Sequence, residues 1–227
     1  MKTNFTHLHL HTSYSLSFST IDIDKLIKLA KKNKIKSLAI TDHLNVFAAI
    51  KFYQKCIDNK IKPIIGCQIP IKVNESDISN SIVTILCQNI KGYKHLIKLL
   101  SEIHVQKKSS ELASASINDL KKYNEGLIIL TGGRNGVLGK NILLDKKDIK
   151  IKFIADLQEI FSNRLYIEID RTQREFENLY NNELLIIAEK LSLPIVATNN
   201  VLFLNREDFE AHEVRVCINK KIKIDDR

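Results

Sequence analysis

The stretch Phe5-Thr6-His7-Leu8-His9-Leu10-His11-Thr12, followed by Asp22-Ile23-Asp24-Lys25-Leu26-Ile27-Lys28-Leu29-Ala30, decides the reading of the fold. The first part is an extended run that ends in polar residues. In the second, Ile23, Leu26, Ile27 and Ala30 recur at i, i+3, i+4 and i+7, and Asp22 stands where a side chain caps the first free amides. A strand that feeds an amphipathic helix is the repeating unit of a parallel α/β sheet.

The same alternation continues outward. After Phe5–Leu10, strands are predicted at Ser37–Thr41, Pro63–Ile71, Ile82–Cys87, Leu127–Thr131, Leu165–Ile169 and Pro194–Thr198. Helical periodicity links Phe47, Ile50, Tyr53 and Ile57, and again Leu96, Leu99, Leu100 and Ile103; Glu175–Leu191 and Glu207–Ile218 read as two further helices. Seven strands mostly separated by helices imply parallel pairing with right-handed crossovers, and Leu127-Ile-Ile-Leu130 is apolar on both faces, as a doubly covered strand must be. A β/α barrel over residues 1–227, as one domain, is the economical solution; 107–116 is the most loop-like segment.

Composition narrows the function classes. Apolar residues are 44% and charged residues 27% of the 227, which excludes a disordered or collagen-like chain. The longest apolar runs fall far short of the roughly 18 residues of a membrane span, and the start of the chain has no signal-peptide pattern, so a cytoplasmic protein with no membrane partner is expected. Cys56, Cys67, Cys87 and Cys217 have no zinc-ribbon spacing and read as buried thiols. The net charge of +9 favours polyanions only weakly, because 28 of the 35 cations are lysine, which lacks arginine's bidentate fork.

In β/α barrels chemistry collects at the C-terminal ends of strands. Polar residues stand there repeatedly: His7–Thr12, Thr41-Asp42-His43, Gly66-Cys67-Gln68, Gly132-Gly133-Arg134, Glu168-Ile169-Asp170 and Asn199-Asn200. His9 and His11, two apart on an extended segment, can point to one face and begin a divalent-metal site. Carboxylates that would bridge several ions are missing at Gln68, Asn199 and Asn200.

These residues resemble the polymerase-and-histidinol-phosphatase (PHP) domain of bacterial DNA polymerase III alpha subunits. The resemblance runs in order through Phe5–Leu16, Leu38–Asn45, Ile61–Gly66, Glu125–Gly132, Leu193–Asn199 and Asp208–Val216. It implies a distorted seven-stranded β/α barrel and a place at the N-terminus of a longer polymerase chain. Of nine family ligand positions, His9, His11 and His43 keep their histidines. Phe18, Gln68, Gly133, Thr172, Asn200 and Leu202 stand where the others belong, so the site reads as degenerate and no catalytic residue is assigned. Three imidazoles with water would still suit a single residual zinc; no other cofactor is expected here, and Mg²⁺ belongs to the full-length polymerase. Phe18 and Leu202 are expected to fill the vacated mouth and make it drier.

The implied partners are the remaining polymerase domains, a proofreading exonuclease, and DNA through the assembled replicase. Rival readings are a free-standing metal-dependent phosphoesterase of the same superfamily and a pure interaction module. Asp22-Ile23-Asp24 could imitate a polymerase Mg²⁺ pair but reads better as a first helical turn. Gly132–Gly136 with Gly139 lacks the Walker G-K-[ST] and reads as a tight strand-to-helix turn. His212 is read as packed within a helix, and Arg134 and Arg215 as solvated unless a partner or DNA meets them.

Overall fold

The computed structural model describes residues 5–16, 18–73, 81–107, 112–144 and 147–226. In chain order the elements are α1 (Ile23–Lys32), β1 (Ser37–Ile40), α2 (Ala49–Asp58), β2 (Lys62–Lys72), β3 (Ser81–Cys87), α3 (Ile90–Gln106), β4 (Ala115–Ser116), α4 (Ile117–Lys122), β5 (Leu127–Leu130), α5 (Val137–Leu143), α6 (Lys147–Phe161), β6 (Leu165–Asp170), α7 (Glu177–Lys190), β7 (Ile195–Thr198) and α8 (Phe209–Lys220). The strands lie in the order β1-β2-β3-β5-β6-β7, with β4 beside β2. β1–β2, β2–β4, β5–β6 and β6–β7 are parallel. The expected α/β class with mostly parallel strands is therefore what the chain adopts. The exception is β3, which pairs antiparallel with β5 from Thr84 opposite Leu130 to Cys87 opposite Leu127. Only eight residues join β2 to β3, fewer than the dozen or so that a parallel crossover takes.

The chain divides into two compact units, 1–66 with 200–227, and 67–199. In the first, Ile23, Leu26, Ile27 and Ala30 of α1 are buried as their spacing dictates, against Leu10, Leu38, Ile40, Phe52, Cys56 and Ile61. Asp22 accepts from the amide of Lys25 at 3.0 Å, while Lys31 and Lys32 close the helix where its dipole favours cations. In the second unit, Leu96, Leu99, Leu100 and Ile103 of α3 are buried, again on the predicted face, and Val83, Ile85, Leu127, Ile129, Leu165 and Ile167 supply the sheet's core.

Three expectations fail in instructive ways. Phe5–Leu10 is not a regular strand: its carbonyls at His7 and Leu10 accept from Ala39 and Thr41, and Leu10 forms only an isolated bridge to Val201. The seventh strand is instead β4, two residues at the end of the segment read as a loop, with Ile71 opposite Ala115. Within α2 the buried face is Ala49, Phe52 and Cys56, whereas Phe47, just before the helix, and Ile50 are 75% and 74% exposed and Tyr53 and Ile57 about half so. Both faces of this helix are apolar, and the one with the smaller residues packs inward, where close approach is rewarded.

Candidate functional site

The first unit gathers the three histidines. His9 and His11 are buried, with ring centroids 5.3 Å apart. The hub beneath them is Asp42, a buried carboxylate. The amide and hydroxyl of Thr12 donate to Oδ1 and Oδ2 at 2.6 and 2.7 Å, and the Ser15 hydroxyl donates to Oδ1 at 2.6 Å. Ser15 Oγ also accepts from the His43 amide at 3.0 Å and lies 3.1 Å from His11 Nδ1. The single Ser15 proton is given to Asp42, so His11 must donate through Nδ1–H, which leaves its Nε2 lone pair as the acceptor or ligand. Burial, then the neighbouring His9 and His43, holds His11 well below the ordinary histidine pKa, so the ring is neutral at physiological pH. Burial also pushes the Asp42 carboxyl up, against the lowering effect of the Ser15 and Thr12 bonds. Just after His43, Leu44 turns at φ 57°, a left-handed backbone that a branched side chain adopts only under constraint.

Phe18 sits with its ring 5.1 Å from that of His43, but it is 41% exposed, so it does not dry the site as expected. Asn200 and Leu202 flank Val201, whose amide donates to His9 O (3.1 Å) and whose carbonyl accepts from His11 N (3.0 Å). The carbonyl of Leu202 accepts from the Ser19 hydroxyl and the Thr20 amide. Both positions are thus held beside the imidazoles through the backbone.

Gln68, Gly133 and Thr172 lie in the second unit. Gln68 is buried on β2. Gly133 has φ 52°, and a Cβ there would stand 2.6 Å from both carboxylate oxygens of Asp170, so no coordinating side chain fits this position as folded. Thr172 is exposed, and its amide and hydroxyl donate to Glu177 Oε2 at 2.6 and 3.1 Å. The carboxylates that sequence reasoning saw at the end of β6 are present but committed. Glu168, fully buried, accepts from Gly132 N (2.9 Å) and the Thr198 hydroxyl (2.6 Å); Asp170 accepts from Arg134 N (2.7 Å) and the Tyr180 hydroxyl (3.2 Å). Spacing alone gave no sign of these donors, because they come from the turn after β5, from β7 and from α7.

The remaining motifs take their structural readings. Asp22 caps α1 and Asp24 pairs with Lys51 (3.4 Å) and Lys55, so the two do not form a metal pair. Gly132–Gly136 is a short 3-10 turn from β5 into α5, with Gly132 at φ 84°. His212 stacks on Phe203 with centroids 5.4 Å apart, and Arg215 is bound to the Ser19 carbonyl rather than solvated.

Among the described residues no group of three or more His, Cys, Asp or Glu could hold a metal ion. Both oxygens of Asp42 already accept hydrogen bonds from Thr12 and Ser15, and Gln68 and Asn200 carry neutral amides. The residues present do not fit a two- or three-ion hydrolytic centre.

The chain resembles known proteins along its whole length. DNA polymerase III subunit alpha of Haemophilus influenzae is 35% identical over 222 residues, 98% of this chain and 19% of that protein. Those of Pseudomonas aeruginosa and Escherichia coli are 34% and 33% identical, again over 19% of their length. The chain thus spans about a fifth of these relatives. Two solved structures share its fold at a TM-score of 0.58, covering 92% of this chain and 96% of theirs. One, 12% identical, is described as a metal-dependent phosphoesterase from Bifidobacterium adolescentis; the other, 11% identical, is an amidohydrolase from Chromobacterium violaceum with bound sulfate and no metal. The family model for the PHP domain matches residues 7–172, most of the chain. With the strand order, the paired histidines and these relatives in agreement, the chain belongs to the PHP domain family.

Proposed function

We propose that residues 1–227 act as the single PHP domain of a cytoplasmic replicative DNA polymerase III alpha subunit, and that this domain is a scaffold rather than a hydrolase. The observation that carries the reading is 32–35% identity to polymerase alpha subunits over nearly the whole chain. The scaffold part rests on Phe18, Gln68, Gly133, Thr172, Asn200 and Leu202 at ligand positions, with His9, His11 and His43 as the vestige. A free-standing phosphoesterase would need the carboxylates that Gln68 and Asn200 replace. In this reading polymerisation, with dNTPs and Mg²⁺, belongs to other domains of the polymerase. The proofreading exonuclease docks on the PHP surface, and the exposed apolar stripe of Ile50, Tyr53 and Ile57 on α2, with Phe47 just before the helix, supports such a docking role.

The test is direct. The purified chain should extend no primer and show no metal-dependent phosphatase or exonuclease turnover, and Ile50→Glu with Tyr53→Glu should weaken exonuclease capture by at least tenfold. Two or more stoichiometric metal ions with turnover abolished by His9→Ala would overturn the scaffold reading. Unchanged capture would remove α2 as the docking face.

A further inference from the structure

The connection from β6 to α7 holds a cavity of about 490 Å³ lined by Arg171, Gln173, Arg174, Phe176, Glu177 and Asn178. We propose that this cavity binds one nucleotide of a single-stranded nucleic acid, with Arg171 and Arg174 on the phosphodiester and Phe176 beneath the base. The inference goes beyond the scaffold reading and does not depend on any metal.

Four observations converge on it. The volume falls in the range of small-molecule sites and far exceeds that of a lone phosphate. Neither the Arg171 nor the Arg174 guanidinium has an ion-pair partner among the described residues. The one acid in the lining is already spent. Glu177 is buried, which alone would raise its carboxyl, but the backbone and hydroxyl of Thr172 and the amides of Gln173 and Arg174 outweigh burial and keep it low. Its carboxylate is therefore ionised and pins the loop through these bonds, and the two arginines of the lining outnumber its single negative charge. Finally, Phe176 is 55% exposed at φ 62°, a conformation the loop imposes at a large apolar side chain.

Residue choice strengthens the case. Lysine outnumbers arginine by 28 to 7 in this chain, yet three of the seven arginines meet at this loop: Arg171, Arg174 and Arg134, whose guanidinium donates to the Glu175 carbonyl. A planar fork binds phosphate oxygens in a bidentate way that lysine does not. An aromatic face beside cations, with the amides of Gln173 and Asn178 for base edges, is the equipment of a stacking platform for single strands. An acidic peptide would use the arginines but has no need of the ring.

The probe is a fluorescein-labelled oligo(dT) of about twelve nucleotides, followed by anisotropy over a salt series with the whole chain. Arg171→Ala with Arg174→Ala should lower affinity at least tenfold and make the salt slope shallower by about 1.4, the value for two phosphate contacts on a single strand. Phe176→Ser should lower affinity about fivefold or more with the slope intact. Lys28→Ala with Lys32→Ala, on exposed positions of α1, should stay within about twofold. Circular dichroism confirms that each variant folds, and Phe176→Ser stands alone if the arginine pair does not. Unchanged affinity and slope in the arginine variant would overturn the proposal. So would oligo-glutamate binding equally well through the same arginines, or inorganic phosphate displacing the probe at the same concentration as dTMP.

Discussion

Each unit of the molecule buries a polar cluster at its strand ends, and the two are built from opposite materials. In the first, which holds His9, His11 and His43, one carboxylate, Asp42, serves three donors, and the Ser15 hydroxyl among them also meets the His11 ring. In the second, Glu168 and Asp170 carry the charge without an imidazole, and a glycine, Gly133, lies against Asp170. The first cluster keeps ligand-type imidazoles, and its carboxylate, Asp42, is held by neutral donors. The second keeps anions, but backbone amides and hydroxyls consume them. The polar atoms of both clusters thus serve as structural hydrogen-bond hubs, and their loss should be felt as stability.

The largest effect should come from the hub with the most donors. Asp42→Ala leaves Thr12 N–H and two hydroxyls without their acceptor, at a cost of about 3 kcal/mol. For a chain of this size that lowers the thermal midpoint by roughly 6–12 °C in calorimetry. Glu168→Gln keeps one acceptor and turns an amide NH2 toward the other donor, so the loss should be about 1.5 kcal/mol, or roughly 3–6 °C. A larger loss for Glu168→Gln than for Asp42→Ala would reverse the comparison.

The third effect is a pH dependence centred on His11. The folded pKa of His11 is depressed, so below about pH 6.5 the unfolded chain takes a proton that the folded ring refuses. Stability is present above that pH and falls as the pH drops, by at most about 1.4 kcal/mol per unit. Burial lowers His7 in the same sense. Asp42 acts oppositely, since its raised folded pKa gives stability below about pH 3.8 that is lost as pH rises through the folded value. Urea midpoints between pH 7 and 5 should fall, and His11→Gln should flatten much of the slope. The smallest effect is that of metal: melts with EDTA and with added Zn²⁺ should agree within about 2 °C. A shift of ten degrees would mean that His9, His11 and His43 hold a structural ion, and the first cluster would no longer be merely a hydrogen-bonded hub.

Much of this was readable in the chain because burial follows period. The faces of α1 and α3 and the cap at Asp22 came directly from spacing. α2 misled because Phe47, Ile50, Tyr53 and Ile57 are as apolar as Ala49, Phe52 and Cys56, and periodicity cannot say which of two apolar faces turns inward. β4 escaped because two residues carry no alternation. Histidine positions were visible, and so were the carboxylates of Asp42, Glu168 and Asp170. What each carboxylate accepts was not, since most of those donors are contributed by residues 27 to 36 positions away.

Glu168 also bears on how this sheet comes apart. β7 is the last strand in the order, its outer residues are partly exposed, and it would ordinarily fray first. Yet its terminal Thr198 and the Gly132 amide beyond β5 share the two oxygens of one buried acid on β6, the strand between them. Detaching β7 strands half of that acid away from water, a cost of the order of a lost buried hydrogen bond or more. Opening of the edge is thereby tied to opening of its neighbours. Amides of 195–198 should exchange with deuterium together with those of 127–130, as one cooperative unit rather than as a loose margin.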